Sequence, residues 1–149
     1  MFKVAFQLSA FKGEQSRARS EAALRALLHA LFTIDRLWLR SNPKTPRLYS
    51  SGVFYRAEPI GEERWRDIPS VLREGWGDCE DLACWRAAEL VEREGIAAQP
   101  SYTWRRRPGI SIYHIVVRHA NGTIEDPSRR LGMGTPEDRL MRRLTGAVE

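Results

Sequence analysis

Cys79 stands in the run Gly75-Trp76-Gly77-Asp78-Cys79-Glu80-Asp81-Leu82-Ala83, where two glycines give way to the pattern of a helix start. A thiol attacks only as thiolate, and the unpaired N–H groups at a helix N-terminus favour that anion. His114 follows 35 residues on in a strand-like stretch, and Asp126 lies 12 further along, past a turn. These residue types in this order suggest a cysteine nucleophile, an imidazole that takes its proton and a carboxylate that fixes the imidazole tautomer. Asp78, Glu80 and Asp81 crowd the thiol with negative charge, which raises its pKa and leaves His114 to supply the decisive positive charge.

The elements that must hold these groups follow from the hydrophobic pattern. Phe2, Val4, Phe6 and Leu8 alternate over residues 2–8 and predict a short strand. Leu24, Leu27, Leu28, Leu31, Ile34 and Trp38 recur at steps of three and four, predicting a long amphipathic helix from about Ser20 to Leu39. The Pro- and Gly-rich stretch 43–61 reads as an ordered loop over a cleft, and a shorter helix around Ile68 to Leu72 has Pro69 in its first turn. Asp78 then caps the helix that Cys79 begins, with Asp81 completing an acidic capping box. Leu82, Ala83, Leu90 and Val91 form its buried stripe, Arg86, Glu89, Glu92 and Arg93 its solvated positions, and Gly95 its end. Strands are predicted over 97–104, 110–118 and 123–126, and a last helix runs from the Thr135 cap to about Leu144. The expected fold class is α+β: a helical N-terminal half whose central, nucleophile-bearing helix packs on a small antiparallel sheet.

Hairpin register decides whether Asp126 can serve His114. A two-residue Asn121-Gly122 turn pairs position 126 with 117 and sends Asp126 to the face opposite His114, handing the role to Glu125. A three-residue loop, Ala120 to Gly122, with Gly122 left-handed in a bulge, pairs 126 with 116 and sets Asp126 diagonal to His114, about 7 Å away. The bulged form is the expectation.

The 149 residues, 42% hydrophobic and 29% charged, fit one domain, 1–149. No apolar run approaches the roughly 20 residues that span a bilayer, and the N-terminus lacks a signal-peptide pattern, so a cytoplasmic protein with no membrane partner is expected. Cys79 and Cys84 sit five apart, about 140° around a helix, which opposes a disulfide or a shared metal; Cys84 reads as a small buried hydrophobe. A zinc site from Cys79, Cys84, His114 and His119 fails because both pairs diverge. His29 and an exposed His119 are assigned no chemistry. The net charge of +5, with Arg105-Arg106-Arg107 and Arg142-Arg143, favours acidic partners. No nucleic-acid-binding motif accompanies these arginines, so they read as solvated faces and nucleic acid is not an expected partner.

Gly77-Asp78-Cys79-Glu80-Asp81-Leu82-Ala83 resembles the nucleophile motif in the bacterial and phage branch of the transglutaminase-like superfamily. Tyr113-His114-Ile115-Val116-Val117 and Glu125-Asp126-Pro127-Ser128 resemble its histidine strand and Asp-Pro motif. Leu48-Tyr49-Ser50-Ser51-Gly52-Val53 and the Trp65 to Pro69 flank are similar to small phage-encoded members, so the resemblance runs from about 24 to 134. It implies a papain-like fold and a thiol-dependent acyl-transfer enzyme, a cysteine protease, amidase or transglutaminase, with Cys79, His114 and Asp126 as catalytic residues. A protein or peptide substrate in a host cytoplasm or a virion goes with it. The backbone N–H of Cys79 is the natural oxyanion donor at a helix start, and Trp76 has no motif match that would make its indole a second. No cofactor is expected. In periplasmic relatives that cleave adhesins, acidic residues flanking the cysteine bind calcium, and Asp78 and Glu80 hold the matching positions. Two carboxylates are few of the six to eight oxygens calcium takes, and capping already explains Asp78. The alternative function is a phage structural or interaction protein that keeps the fold without activity.

Overall fold

In the computed structural model, residues 16–59, 63–107 and 110–146 are described; the strand expected over 2–8 and the side chains of Arg105 to Arg107 lie outside them. Helix α1, Ser16–Ser41, buries Leu28, Leu31, Phe32, Asp35 and Leu39 along one stripe. Ile34, expected on that face, is exposed, because the stripe runs through its neighbour Asp35 instead. Asp35 is fully buried and accepts the Ile68 N–H at 2.9 Å, which ties α1 to the first turn of helix α2, Ile68–Glu74. Asp67 caps α2 through the Ser70 N–H, and Pro69 lies in its first turn as predicted.

Between α1 and α2 the chain is less loop-like than its composition suggests. Leu48–Ser50 form a 3-10 turn, and Phe54–Tyr55 form β1, paired in parallel with β2, Trp76–Gly77. Gly75 and Gly77, read as mere breaks, thus frame a strand. A two-residue ladder between distant segments has no period in the sequence to betray it. Gly77 is required for another reason: a Cβ there would sit 3.1 Å from Leu82 Cδ2 and 3.2 Å from Asp81 Cβ. The bare backbone lets the strand end press against the start of helix α3.

Helix α3, Cys79–Glu94, is the centre of the molecule. Leu82, Ala83, Cys84, Trp85, Ala87, Ala88 and Leu90 are buried, and the helix packs between α1 on one side and strands β3 and β4 on the other. A helix covered on both sides buries more than a stripe, so Glu89, predicted solvated, is only 1% exposed. Its carboxylate takes the Leu48 N–H and an ion pair from Arg86.

Strands β3, Ala98–Arg107, β4, Ile110–His119, and β5, Ile124–Glu125, form an antiparallel sheet in that order. Ile115 and Val117 join the core cluster that begins at Leu28, so one apolar centre links the helical and sheet halves. The architecture is α+β. Two helices follow: α4, Pro127–Arg130, and α5, Pro136–Thr145, the latter capped by Thr135. Arg142, read as solvated, is instead half-buried, pairing with Asp138 and donating to the Tyr55 hydroxyl at 2.7 Å. No described helix is long and apolar enough to cross a membrane.

Candidate active site

The β4–β5 hairpin has the bulged register. Val117 pairs with Glu125 and Arg118 with Ile124, and the His119 N–H bonds Thr123 O at 2.9 Å, leaving Ala120, Asn121 and Gly122 as the loop. Gly122 is left-handed, φ +86°, the conformation a bulged loop demands and glycine adopts without steric cost. Asp126 continues beyond β5 on the face that carries His114, and its Oδ2 meets His114 Nε2 at 2.9 Å. The other oxygen, Oδ1, caps α4 by accepting the Arg129 N–H at 3.1 Å. Burial opposes the Asp126 carboxylate, yet the His114 hydrogen bond, the Arg129 N–H and the neighbouring cations outweigh it, so its pKa lies below the usual value. A carboxylate at Nε2 requires a proton there, which leaves Nδ1 of a neutral imidazole with its lone pair free.

Cys79 is the first residue of α3, with Asp78 as cap and Asp81 closing the capping box. Helix α3 packs on β4, where the Ile115 N–H, one residue from His114, favours the anionic form of the sulfur. Its own hydrogen bond goes to Glu80 Oε2 at 3.4 Å. Burial, then the charges of Glu80 and Asp78, push the thiol pKa well up, more than the Ile115 N–H pulls it down. The sulfur is therefore a neutral thiol at rest. His114 and Asp126 are thus in contact, while no hydrogen bond joins Cys79 to His114 and the thiol proton is turned toward Glu80. The Cys79 N–H is also engaged, donating to Asp78 Oδ1 at 2.6 Å, so the expected oxyanion donor serves the cap.

Beneath the cysteine lies a layer of buried charge centred on Arg66, only 7% exposed. Its guanidinium pairs with Glu58, with Asp81 at 3.5 Å and with Glu74 at 3.2 Å, and lies 3.8 Å from the Trp76 ring centroid. The Arg66 N–H donates to Asp81 Oδ1 at 2.7 Å, while Asp81 Oδ2 accepts the Asp78 N–H. This layer holds the helix start in register with β2.

The carboxylates of Glu58, Glu63 and Glu80 lie within 4.8 Å of one another, as do the ligand atoms of Asp78, Cys79 and Glu80. Glu80 Oε1 is buried without a hydrogen-bond partner. The oxygens of Asp78 hold the backbone N–H groups of Cys79, Glu58 and, through the capping box, Asp81, and Glu58 is bound by Arg66 and the Arg64 N–H. Among the described residues that leaves Glu63 and one oxygen of Glu80, short of a calcium shell, beside the Arg66 guanidinium, which repels a cation. A proton on Glu80 is the simpler answer, because burial and then the charges of Asp81 and Asp78 raise its pKa well above the carboxylate range.

A consequence is testable. A folded Glu80 that keeps its proton where the unfolded carboxyl ionises makes stability fall as pH rises above about 4.3. Glu80→Gln is expected to remove that slope, raising Tm at pH 8 more than at pH 4. Parallel melting curves for the two proteins across this range would exclude a buried neutral Glu80.

Residues that sequence reasoning passed over complete the surroundings. Glu125 receives the Tyr49 hydroxyl, Arg86 at 2.8 Å and His119 Nε2 at 3.1 Å. His119, expected exposed and idle, thus pins the β5 residue next to Asp126. Its odd spacing from His114 put it on the opposite face of β4, the face whose Ile115 and Val117 join the core. Tyr55 is buried close to Asp78 and Cys79, and its hydroxyl pKa is pushed far up, first by burial and next by the Asp78 charge. Trp65 packs on the core cluster, while Trp76 and Trp104 are stacked under Arg66 and Arg17. Compared with family models, curated proteins and solved structures, the chain matches none.

Proposed function

We propose that this chain is a papain-like acyl-transfer enzyme of the transglutaminase-like kind, acting on peptide or side-chain amides. His114 Nδ1 takes the Cys79 proton as the sulfur attacks the amide carbonyl carbon. Asp126 holds the resulting imidazolium through Nε2–H. The tetrahedral oxyanion collapses to a thioester as the amine leaves with the proton from His114, and water or a second amine resolves the acyl-enzyme. The observation that carries this reading is the His114–Asp126 contact, which depends on the Gly122 bulge and has no evident structural purpose at a half-exposed site. No cofactor enters the scheme.

A second reading, a scaffold that keeps the fold without turnover, draws on the thiol proton being committed to Glu80. Alkylation separates the two. Under native conditions iodoacetamide is expected to label Cys79 with a pH profile that depends on His114, and His114→Ala is expected to slow labelling at pH 7 by about tenfold or more. Cys84, fully buried, serves as the internal control and stays unlabelled until the chain unfolds. A profile unchanged in His114→Ala supports the scaffold.

A further inference from the structure

Away from Cys79, a groove of about 930 Å³ runs between α1 and the outer edge of β3. Its floor is apolar: Leu28 and Phe32 of α1 and Val91 of α3. Its rim is basic: Arg25 and Arg36 from α1 and Arg118 from β4, and no acidic residue lines it. Carboxylates offset this charge in part. Glu92 is shared by Arg36 and Arg40, and Glu21 lies near Arg25 and accepts from the Tyr102 hydroxyl that Arg25 also reaches, whereas Arg118 has no carboxylate partner among the described residues.

Among the described residues the strand along this groove has no partner on its outer side: β3 pairs with β4 alone. The Ala120 N–H bonds Ala97 O, so Ala98 and His119 face each other as a pair without mutual hydrogen bonds. The main-chain groups of Ala98, Pro100 and Tyr102 consequently point outward, toward α1. Pro100 offers only its carbonyl, as a proline on an edge strand does.

From these features we infer that the groove binds an extended, acidic protein segment, which adds to β3 as a further strand. Outward N–H and C=O groups at strand spacing match a peptide main chain, which has both donors and acceptors. The apolar floor takes alternate side chains, and the arginine rim takes carboxylates on the intervening ones. Arg25 and Arg36 stand about 16 Å apart along α1, the reach of about five extended residues. Nucleic acid fits the charge equally well but has no use for the strand edge. The inference is independent of the chemistry at Cys79.

The probe is a fluorescein-labelled octapeptide of alternating glutamate and valine, followed by anisotropy with the full chain. Binding is expected, unchanged in Cys79→Ala and weakened about tenfold or more in Arg25→Glu/Arg118→Glu, two exposed positions whose replacement leaves the circular dichroism intact. Methylating alternate backbone nitrogens of the peptide is expected to weaken binding as strongly, since it removes the ladder. Equal binding of the methylated peptide, or indifference to the double substitution, overturns the inference. So does a short single-stranded oligonucleotide that displaces the peptide at lower concentration.

Discussion

Asp126→Asn is expected to leave the protein folded and cut acyl transfer by roughly 10³ to 10⁴-fold. The fold survives because asparagine caps a helix as well as aspartate does, and Asp126 Oδ1 caps α4 through the Arg129 N–H. The chemistry fails because an amide N–H directed at Nε2 of His114 forces the imidazole proton onto Nδ1. The base then meets the thiol with a donor where a lone pair is needed. Single-turnover thioester formation on a p-nitrophenyl ester, trapped with hydroxylamine, measures this directly, with Cys79→Ala as the blank. A variant within tenfold of the parent rate would mean that the 2.9 Å contact holds structure alone.

Arg66→Ala is expected to destabilise the protein by about 3–5 kcal/mol, roughly 10 °C or more in Tm for a chain of this size. The guanidinium is buried, and its removal strands Glu58 and Asp81, both raised by burial and lowered by Arg66. Arg66→Lys keeps a charge but not the planar fork or the stack on Trp76, so its loss is expected to fall between. Urea titration at pH 8 reads the difference. A cost under about 1 kcal/mol in the alanine variant would show that protons, not the guanidinium, neutralise this layer.

The local instructions were legible. Asp78 and Asp81 announced the start of α3, Thr135 and Pro136 that of α5, and Pro69 that of α2, because caps and first-turn residues act on amides within one turn. The hairpin register was legible too, since Gly122 selects the bulge and the bulge selects the face Asp126 occupies. What escaped was long-range. The parallel pairing of Phe54–Tyr55 with Trp76–Gly77 joins segments about twenty residues apart that have no alternation. Glu89 reads as solvated by period and is buried because α3 has neighbours on both sides.

The sequence by itself determined the place of Cys79 on a helix start, the order of sulfur, imidazole and carboxylate, and the turn that lets two of them meet. Each is a short-range consequence of steric and hydrogen-bonding rules. Only the tertiary structure decided where the thiol proton points, how Arg66 balances the acids under α3, and that β3 has an open, basic edge. Those depend on desolvation and on charges brought together from distant segments, quantities that exist only once the chain has closed around them.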